Sequence, residues 1–558
     1  MASRETPLPR IARRIVAALL PYAVIVATRH LDLVYVAQLE RYASARFLAW
    51  IARNWRVVLD GRSALLQTLV IAAGVALALL GLPIIGLYVV WVAAGLWSAA
   101  RHSSLQVSQR LQFTRRAIRL TSVTFVLAAA VMCGVTLMTV AAFSEVTVMP
   151  RIFAGAIGMI AGLAVASEVA AGTVLLANLV LSPIERRINK RFLEQARNRM
   201  RSYPGRVVGI TGSYGKTTTK FITAALLGRR YLVLKTPDGV NTTMGITRVV
   251  REDLRDEHRF FVVEVAAYGP GEIREVCEIL RPAIGILTAV GVQHLERFGT
   301  SERIAEAKYE LIASLPPDGV AIVNADDPGC LRLADRARSE GRRALLYGVG
   351  EDERSLDVRG KDIKLSSRGS AFRVETPAGA SAFETKLLGS WNISNILGAT
   401  AAALECGVAL EEIREGVRSL TPPAKRLEVR EEGGVVKLID VANANPLGAK
   451  MALEVLSQFE GGAKILITPG LVELGRIEAE ENRRFGRAAA AICDYVVLVG
   501  PRRTLPLREG LHEGGFSDSR VLVARHSEEV ADCLKKIVRE GDVLLYENRL
   551  PDTYLELS

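Results

Sequence analysis

The chain has few of the residues that hold small extracellular or metal-binding domains together. Its 558 residues include six histidines that do not cluster and only six cysteines, none of them in a CxxC pair: Cys133, Cys277, Cys330, Cys406, Cys493 and Cys533. This scatter argues against a structural zinc site and against a disulfide framework. It predicts reduced thiols in a cytosolic setting.

A cleavable signal peptide is also lacking in our interpretation of the first residues. The apolar stretch 15–28 is short, contains Pro21 and has no clear small-residue cleavage site after it. An interfacial helix, a poor membrane span and a buried helix are all open for this stretch. We favour the interfacial helix.

The chain also has no excess of acidic residues. Its 71 lysines and arginines outnumber its 59 aspartates and glutamates, so the net charge is +12. Basic chains often bind nucleic acid, but here the positive residues lie beside apolar runs, so we expect anionic lipid and no nucleic acid as the partner. Half of the residues are hydrophobic and the mean hydropathy is +0.23. The hydrophobic excess is concentrated in the first third, which predicts membrane spans there.

The first of these apolar runs is too long for one helix across a membrane. The 38 residues between Arg62 and Arg101 carry no formal charge. As a single helix they would extend about 57 Å, nearly twice the thickness of a hydrocarbon core. Two helices joined by a turn at Gly81–Pro83 fit better.

Two further runs bring the prediction to four transmembrane helices over residues 63–182. One lies between Arg119 and Glu145, and the other covers 152–182 with Glu168 as its single charge. A charge inside an apolar run is expensive unless it is paired or hydrated. Glu168 therefore lies near the membrane surface, or it contacts a lipid-linked substrate or a partner span.

The loops give the predicted orientation of this multi-pass cell-membrane domain. Residues 101–120 carry five arginines and no acid, and the segment after Ser182 is again basic. The positive-inside rule therefore places both termini and the catalytic part in the cytoplasm, with membrane lipid as a partner. We expect residues 1–62 to be an amphipathic juxtamembrane segment and 183–205 a basic linker helix.

After residue 205 the pattern becomes that of an α/β protein. Short β-branched runs such as "RVVGIT", "FFVVEVA" and "GVAIVNA" alternate with helical stretches. This alternation of strands and helices predicts a parallel sheet covered by helices.

The segment "TGSYGKTT" follows the first of these strands and predicts a phosphate-binding loop. Glycines at 212 and 215 expose backbone N–H groups, Lys216 supplies positive charge, and Thr217 can hold Mg²⁺ at a helix N-terminus. The glycines are two residues closer than in the strict Walker motif. Ser213 and Thr218 complete the predicted nucleotide contacts. A plain strand-to-helix turn would not need a lysine beside the glycines.

Several segments in order make the chain from about Arg206 onward similar to the Mur ligase family of ATP-dependent amide ligases. They are "VVGITGSYGKTT", "VVEVAAYGPGEI" (262–273), "LTAVGVQHLERFGTSERIAEAKYEL" (287–311), "VNADDP" (323–328), "GSWNISNILGATAAAL" (389–404), "KLIDVANANP" (437–446) and "ITPGLVELG" (467–475). The last two resemble the D-alanyl-D-alanine-adding branch (MurF). The resemblance implies a P-loop central domain at 206–420 and a Rossmann-like C-terminal domain at 421–558.

The resemblance implies a reaction in which ATP phosphorylates a carboxylate and an amine then displaces phosphate, with ADP as the other product. It assigns Lys216 to the phosphates, Thr217 and Glu264 to one Mg²⁺, and His294 to a second. Trp391 stands where the family often has histidine, and it is open whether Trp391 stacks on the base or is a core aromatic. The remaining nucleotide contacts implied are Asn392, Asn395, Arg426 and Asp440.

Lys308 lies fourteen residues after His294, as in the family. The resemblance implies that CO₂ converts it to N6-carboxylysine, an anion that binds magnesium. A solvated helix lysine is the alternative interpretation.

The chain departs from the family at the places that would recognise the substrates. Membrane-like sequence stands where a domain for the UDP-sugar is usual, Ala442 replaces the usual tyrosine, and "LLYENRLPDTY" (544–554) replaces Lys-Gly-Ser-Arg. We therefore predict a membrane-anchored, ADP-forming amide ligase acting on a UDP-linked or lipid-linked cell-wall precursor and on an amino acid or peptide amine. The alternatives are a poly-γ-glutamate-synthase-like ligase, an ATP-driven transporter and a scaffold that binds ATP without catalysis.

Overall fold

The computed structural model describes residues 23–24, 26–58, 111–144, 151–292, 295–349, 355–442 and 445–550. The chain divides into two compact units, one up to Ile188 and one from Asn189 to Leu550. The two helices predicted between 63 and 100 lie outside the described residues, as does most of the stretch 15–28.

The N-terminal unit is helical in its described part. Its helices are α1 (26–39), α2 (Ser44–Arg53), α3 (Trp55–Val58), α4 (Arg115–Ser144), α5 (Arg151–Glu168) and the start of α6 (Ala170–Ser202), which continues beyond the unit. Buried side chains of five of these helices form one apolar cluster, which includes Val34, Phe47, Val58, Leu120 and Val174.

The prediction of four membrane helices is not supported by the described residues. They contain one helix that is long and apolar enough to cross a membrane, Arg115–Ala141 in α4, or two if a bent pair counts as one span. That pair is the predicted fourth span, in which α5 and α6 meet at an angle of 67°. The break follows Glu168, whose carboxylate accepts a hydrogen bond from Arg29 Nη1 at 3.2 Å, so a charge pair within the unit interrupts the apolar run.

The second unit begins with a nine-stranded sheet in the order β2-β3-β1-β4-β5-β6-β7-β8-β9. Neighbours from β2 to β7 pair in parallel, and β7, β8 and β9 pair antiparallel. The strands are β1 (Arg206–Thr211), β2 (Val233–Lys235), β3 (Phe260–Glu264), β4 (Ile284–Leu287), β5 (Val320–Asn324), β6 (Arg343–Gly348), β7 (Val358–Ser366), β8 (Gly369–Thr376) and β9 (Gly379–Thr385).

Helices cover this sheet because its central strands are apolar on both faces. The helices are α7 (Lys216–Leu227), α8 (Thr243–Glu252), α9 (Glu272–Leu280), α10 (Leu295–Phe298), α11 (Ser301–Ala313), α12 (Pro328–Ser339), α13 (Ser390–Glu405) and α14 (Leu410–Arg418). Every residue of β3 and β4 is buried, as expected for strands inside a parallel sheet. The predicted α/β class is confirmed for this part of the chain.

A second sheet of six strands follows, in the order β10-β11-β15-β12-β13-β14. Its strands are β10 (Glu428–Glu432), β11 (Val435–Asp440), β12 (Lys464–Thr468), β13 (Tyr495–Val499), β14 (Val521–Ala524) and β15 (Val543–Glu547), and its helices are α15 (Pro446–Ser457), α16 (Glu478–Ala490), α17 (Leu505–Glu513) and α18 (Val530–Ile537). All pairs except β10–β11 are parallel. The last strand, β15, lies between β11 and β12, so residues far apart in sequence meet at its end.

Candidate active site

The loop between β1 and α7 has two glycine positions at which a side chain would clash. Gly215 has φ 78°, and a Cβ there would lie 2.5 Å from Asn395 Oδ1. A Cβ on Gly212 would lie 2.0 Å from Thr288 Oγ1. Strand β1 has β3 on one side and β4 on the other, which is the kind of switch point where open α/β sheets bind ligands.

Residues that follow β4 hold this loop in place through hydrogen bonds. Ser213 N donates to Ala289 O at 2.8 Å, and Ser213 Oγ donates to Gly291 O at 3.0 Å. The Thr288 hydroxyl donates to the carbonyl oxygen of Tyr214. These hydrogen bonds fix the conformation of the loop at the start of α7. The helix dipole favours an anion there.

Lys216 is the first residue of α7 and lines the cleft beside the loop. Its Nζ donates to Ser213 O at 3.2 Å. Burial and, secondarily, the positive charge of Arg426 lower its pKa to about 8, against the opposing effect of Glu264. A cation held near the loop in this way would be stabilised further by a bound anion.

Glu264 ends β3 and is the acidic centre of the site. It is 3% exposed, its Oε2 accepts from Thr217 Oγ1 at 2.7 Å, and its Oε1 accepts from Asn241 Nδ2 at 3.0 Å. Burial alone would raise the pKa of Glu264. The charge of Lys216 and the hydrogen bonds to the carboxylate outweigh burial and hold the pKa below its usual value.

Two amides of α13 lie against the loop and α7. Asn395 Oδ1 accepts from Thr219 Oγ1 at 3.1 Å, and its Nδ2 donates to Asn392 Oδ1 at 3.2 Å. Asn392 Nδ2 donates to Leu388 O at 2.8 Å. Trp391, the residue before Asn392, lines the cleft and also packs against the apolar cluster of the second sheet, so it is a partly buried packing residue at the edge of the cavity.

Arg426 connects the two sheets at the site. It lies just before β10, and its Nη2 donates to Thr217 Oγ1 at 2.9 Å. Asp440, at the end of β11, lines the same cleft. Burial raises the pKa of Asp440 to about 6, although the charge of Arg426 and a hydrogen bond from the Leu427 backbone act in the other direction.

Lys308 lies on α11 and is 4% exposed, so the alternative of a solvated lysine is wrong. Burial and the charge of Lys216 lower its pKa to about 7, while Glu272 and other carboxylates oppose the shift. Its amine is thus electrostatically coupled to the phosphate-loop lysine. His294 lies outside the described residues.

The cleft that these residues line has a volume of about 470 Å³. Ten of the thirteen residues predicted for the site line it: Ser213, Gly215, Lys216, Thr217, Thr218, Glu264, Asn392, Asn395, Arg426 and Asp440. Gly212 and Lys308 do not line it, although Gly212 belongs to the loop and Lys308 interacts with Lys216. The tertiary structure therefore brings together residues as far apart in sequence as Ser213 and Asp440, which are 227 positions apart, while their individual roles stay predictions.

Two family models match the second unit. The Mur ligase middle domain matches residues 210–403, and the Mur ligase glutamate ligase domain matches residues 425–546. The UDP-N-acetylmuramoyl-tripeptide–D-alanyl-D-alanine ligase of Bacillus subtilis (strain 168) is 30% identical over 345 residues, which cover 61% of this chain and 72% of that protein. The chain belongs to the Mur ligase family. It is accordingly an ATP-dependent amide ligase.

Other relatives agree with this membership. The corresponding ligase of Escherichia coli (strain K12) is also 30% identical, over 61% of this chain and 73% of its own length. Among solved structures, MurF from Acinetobacter baumannii superposes with a TM-score of 0.58 at 27% identity, covering 65% of this chain and 78% of that one. MurF from Thermotoga maritima in complex with ADP gives 0.58 at 28% identity, covering 66% and 82%.

The Mur ligase family uses ATP and Mg²⁺, and the oxygen donors of this cleft fit magnesium. Glu264 offers a carboxylate and Thr217 a hydroxyl, 2.7 Å apart and both on the cavity wall. Magnesium is usually held by one or two carboxylates together with water and substrate phosphates. No group of three or more His, Cys, Asp or Glu in the described part of the chain is placed to hold a metal. Substrate phosphates and water would complete the coordination of a magnesium ion held by Glu264 and Thr217.

Sequence reasoning missed Lys220 in this Mur ligase. Its side chain is fully buried, and its Nζ lies 3.5 Å from Glu264 Oε2 and 3.2 Å from Pro237 O. Four residues after Lys216 on the same helix, it faces the same carboxylate. A lysine inside the otherwise uncharged run "TTTKFITAALL" (217–227) is the signal that could have found it.

Proposed function

We propose that this Mur ligase joins the amine of D-alanyl-D-alanine to a carboxylate of a UDP-N-acetylmuramoyl-tripeptide precursor of peptidoglycan. The substrates are those in the names of the relatives that share 30% of its residues. The observation that carries the proposal is the contact of Arg426 with Thr217, which unites the two Mur ligase domains around one cavity.

The proposed reaction has two steps. A carboxylate oxygen of the acyl substrate attacks the γ-phosphorus of ATP, so that an acyl phosphate forms and the bond to ADP breaks. The amine nitrogen then attacks the acyl carbon. The C–N bond forms, the C–O bond to phosphate breaks, inorganic phosphate leaves and the nitrogen loses a proton.

The residues of the chain act mainly by binding and charge. The backbone N–H groups at the start of α7 and the Lys216 ammonium hold the phosphates, and Arg426 adds positive charge from the other domain. Mg²⁺ held by Thr217 and Glu264 would offset the charge of the phosphates. Closure of the two domains excludes water from the acyl phosphate.

We also propose that Lys308 carries the CO₂-derived carboxylate as N6-carboxylysine. Its amine is buried, and its pKa of about 7 leaves a large neutral fraction at neutral pH, which is the form that reacts with CO₂. The resulting anion would lie near the positive charge of Lys216. Together with His294 it would be available to a second Mg²⁺.

The test of the main proposal is phosphate release by the full chain with ATP, Mg²⁺, UDP-N-acetylmuramoyl-tripeptide and D-alanyl-D-alanine. Release that requires both substrates supports it. Release without any amine would favour a transporter, and release with glutamate alone as the amine would favour a polyglutamate-type ligase. Lys216→Ala should lower the rate at least about a hundredfold. The matched control is Lys235→Ala, at an exposed lysine on β2, and its rate of phosphate release should stay close to that of the wild type.

We further propose that the N-terminal unit holds the enzyme at a membrane, with its second unit on the cytoplasmic side. In α4, Leu137 is 69% exposed and Met138 is 75% exposed, so this helix presents large apolar side chains at its surface. The full chain should float with vesicles of phosphatidylglycerol. Replacing both residues by lysine should weaken flotation, while Val523→Lys on β14 should leave it unchanged. If the wild-type chain stayed at the bottom of the gradient while the vesicles floated, the proposal would be contradicted.

A further inference from the structure

A second contact joins the two Mur ligase domains away from the catalytic cleft. Helix α10 of the central domain meets the loop 469–474, which follows β12 in the C-terminal domain. Glu296 N donates to Glu473 O at 3.3 Å, and Arg297 Nη2 lies 3.5 Å from Glu473 Oε1. Arg297 and Glu473 do not line the cleft, so binding of the nucleotide does not explain this ion pair.

Glu473 has an unusual backbone conformation at this contact. Its φ is 65°, in the left-handed region that residues with a side chain seldom adopt. Two residues later, Gly475 approaches α10 so closely that a Cβ there would lie 3.3 Å from Glu296 Cα. A strained residue persists only where the surrounding structure fixes it, and such residues are common at ligand clamps and switch regions. The shape of this loop therefore fits α10.

Arg297 also contacts the loop that follows the acidic residue of the catalytic site. Its Cζ lies 4.8 Å from the centroid of the Tyr268 ring, which is the geometry of a cation–π contact. Tyr268 comes four residues after Glu264, and its backbone N–H donates to Glu272 Oε2 at 2.9 Å. Through Arg297, the C-terminal domain is thus connected to the loop 265–271, which begins at the end of β3.

Apolar packing supports the same contact from both domains. Leu295 and Phe298 are buried in an apolar cluster of the central domain, which fixes α10 there. Val292 and Ile477 pack against that cluster and also against the cluster of the C-terminal domain. Because Leu295 and Phe298 are three positions apart, they lie on one face of the short helix, and the two residues between them are left to meet the other domain.

The ion pair has the exposure of a contact that can form and break during each reaction cycle. The side chain of Arg297 is 28% exposed and that of Glu473 is 15% exposed, so water screens their attraction. A weak pair favours the closed arrangement of two domains without preventing the opening that releases products. A fully buried pair would be much more costly to separate.

We propose that Arg297 and Glu473 are positioning residues that hold the two domains closed while the acyl phosphate exists, so that water does not reach it before the amine attacks. This inference rests on the proposed ligase function. Without the pair, water attacks the acyl carbon in place of the amine. The C–O bond to phosphate breaks, the carboxylate forms again and inorganic phosphate leaves, with one proton of the water on phosphate and the other in solvent. ATP is then consumed without formation of an amide.

The test compares the ADP and the amide that the full chain forms from ATP, UDP-N-acetylmuramoyl-tripeptide and D-alanyl-D-alanine with Mg²⁺. The wild type should form them in equal amounts. Arg297→Gln and Glu473→Gln should each form at least about twice as much ADP as amide, because loss of a weak pair shifts domain closure a few-fold. An unchanged ratio in both variants would overturn the proposal.

The matched control is Arg336→Gln in the central domain. Arg336 has an ion pair with Glu306 at 2.8 Å, and its Cζ lies 4.0 Å from the centroid of the Tyr309 ring. It therefore makes the same two kinds of contact as Arg297, but within one domain. This variant should form ADP and amide in equal amounts, and an excess of ADP from it would show that loss of any such contact uncouples the reaction, against the proposal.

The double variant Arg297→Gln/Glu473→Gln separates a pair from two independent effects. If the two residues act on each other, the double variant should form no more ADP per amide than the worse of the single variants. Effects that multiply in the double variant would contradict the pair. All three variants should melt close to the wild type, because the side chains that they replace are partly exposed.

Hydrogen exchange tests the contact without the substrates of the ligase. In the full chain with ADP and Mg²⁺, the backbone amides of residues 295–298 should exchange at least about threefold faster in Glu473→Gln than in the wild type, because the contact opens more often. Equal exchange would overturn the inference whatever the substrates are. Faster exchange in the variant, combined with no amide from the wild type, would support the contact and overturn the proposed substrates instead.

Discussion

Arg426 Nη2 lies 2.9 Å from Thr217 Oγ1, although the two residues are 209 positions apart in the chain. Thr217 in turn donates to Glu264 at 2.7 Å. One relay of hydrogen bonds therefore runs from the C-terminal domain to the acidic residue at the end of β3. Through this relay, the position of the second sheet is linked to the phosphate loop.

Removing the guanidinium of Arg426 should reduce catalysis more than it reduces stability. Arg426→Ala is expected to lower kcat/KM for ATP about a hundredfold, because a positive charge near the phosphates and a contact between domains are both lost. Steady-state kinetics at varied ATP concentration measures this loss. Arg430→Ala, at an exposed arginine four residues later, should stay within about twofold of the wild type. An Arg426 variant with normal kinetics would remove the relay from the mechanism.

The phosphate loop should not tolerate a side chain at Gly215. Gly215→Ala places a Cβ 2.5 Å from Asn395 Oδ1 at a φ of 78°, so both a clash and backbone strain are expected. Gly341→Ala is the matched control, since φ there is 76° and no heavy atom lies within 4 Å of the added Cβ. Both variants should lose about 1 kcal/mol of stability from the left-handed backbone. ADP binding, measured by calorimetry, should be lost in Gly215→Ala alone.

Carboxylation of Lys308 should depend on pH in the neutral range. With its pKa lowered to about 7, the amine is mostly neutral at pH 8 and mostly protonated at pH 6. The carbamate signal in ¹³C NMR with labelled bicarbonate should therefore fall about tenfold from pH 8 to pH 6. Lys308→Ala should lack the signal and regain activity with added acetate or propionate. A signal that persists in Lys308→Ala would place the carbamate elsewhere.

The buried pair of Glu547 and Asp440 should make stability fall as pH rises. Burial raises the pKa of Glu547 well above its ordinary value and that of Asp440 to about 6. Carboxyl groups with raised pKa hold more protons in the folded than in the unfolded state. Their contribution is thus complete below about pH 4 and is lost as pH rises through the folded values. Urea unfolding should show Glu547→Gln to be more stable than wild type by about 1–3 kcal/mol at pH 8. The difference should shrink towards pH 5, and a pH-independent difference would contradict this account.

The sequence predicted the nucleotide side of the site because local rules govern it. A strand, a glycine turn and a helix beginning at Lys216 follow from short-range preferences, and the structure has them in that order. The α/β alternation after residue 205 likewise follows from strand and helix patterns. Arg426 and Asp440 were predicted only through family resemblance, since nothing near either residue in sequence indicates a nucleotide.

The sequence predicted the first third less well, because hydropathy does not show where an apolar run bends. The run at 152–182 looked like one span, but it breaks at Val169, next to the pair formed by Glu168 and Arg29. The pairing partner lies 139 positions away, so no local window contains it. Glu547 was missed for the same reason, because its burial at the end of β15 is set by neighbours that are distant in sequence.

By itself the sequence determined a phosphate loop, an α/β catalytic part and its family, because periodicity and motif spacing are properties of contiguous residues. Only the tertiary structure decided that Arg426 reaches Thr217 and that Asp440 stands beside Glu547. The physical reason is strand order: β15, the last strand, inserts between β11 and β12, and such long-range pairing depends on the packing of the whole domain.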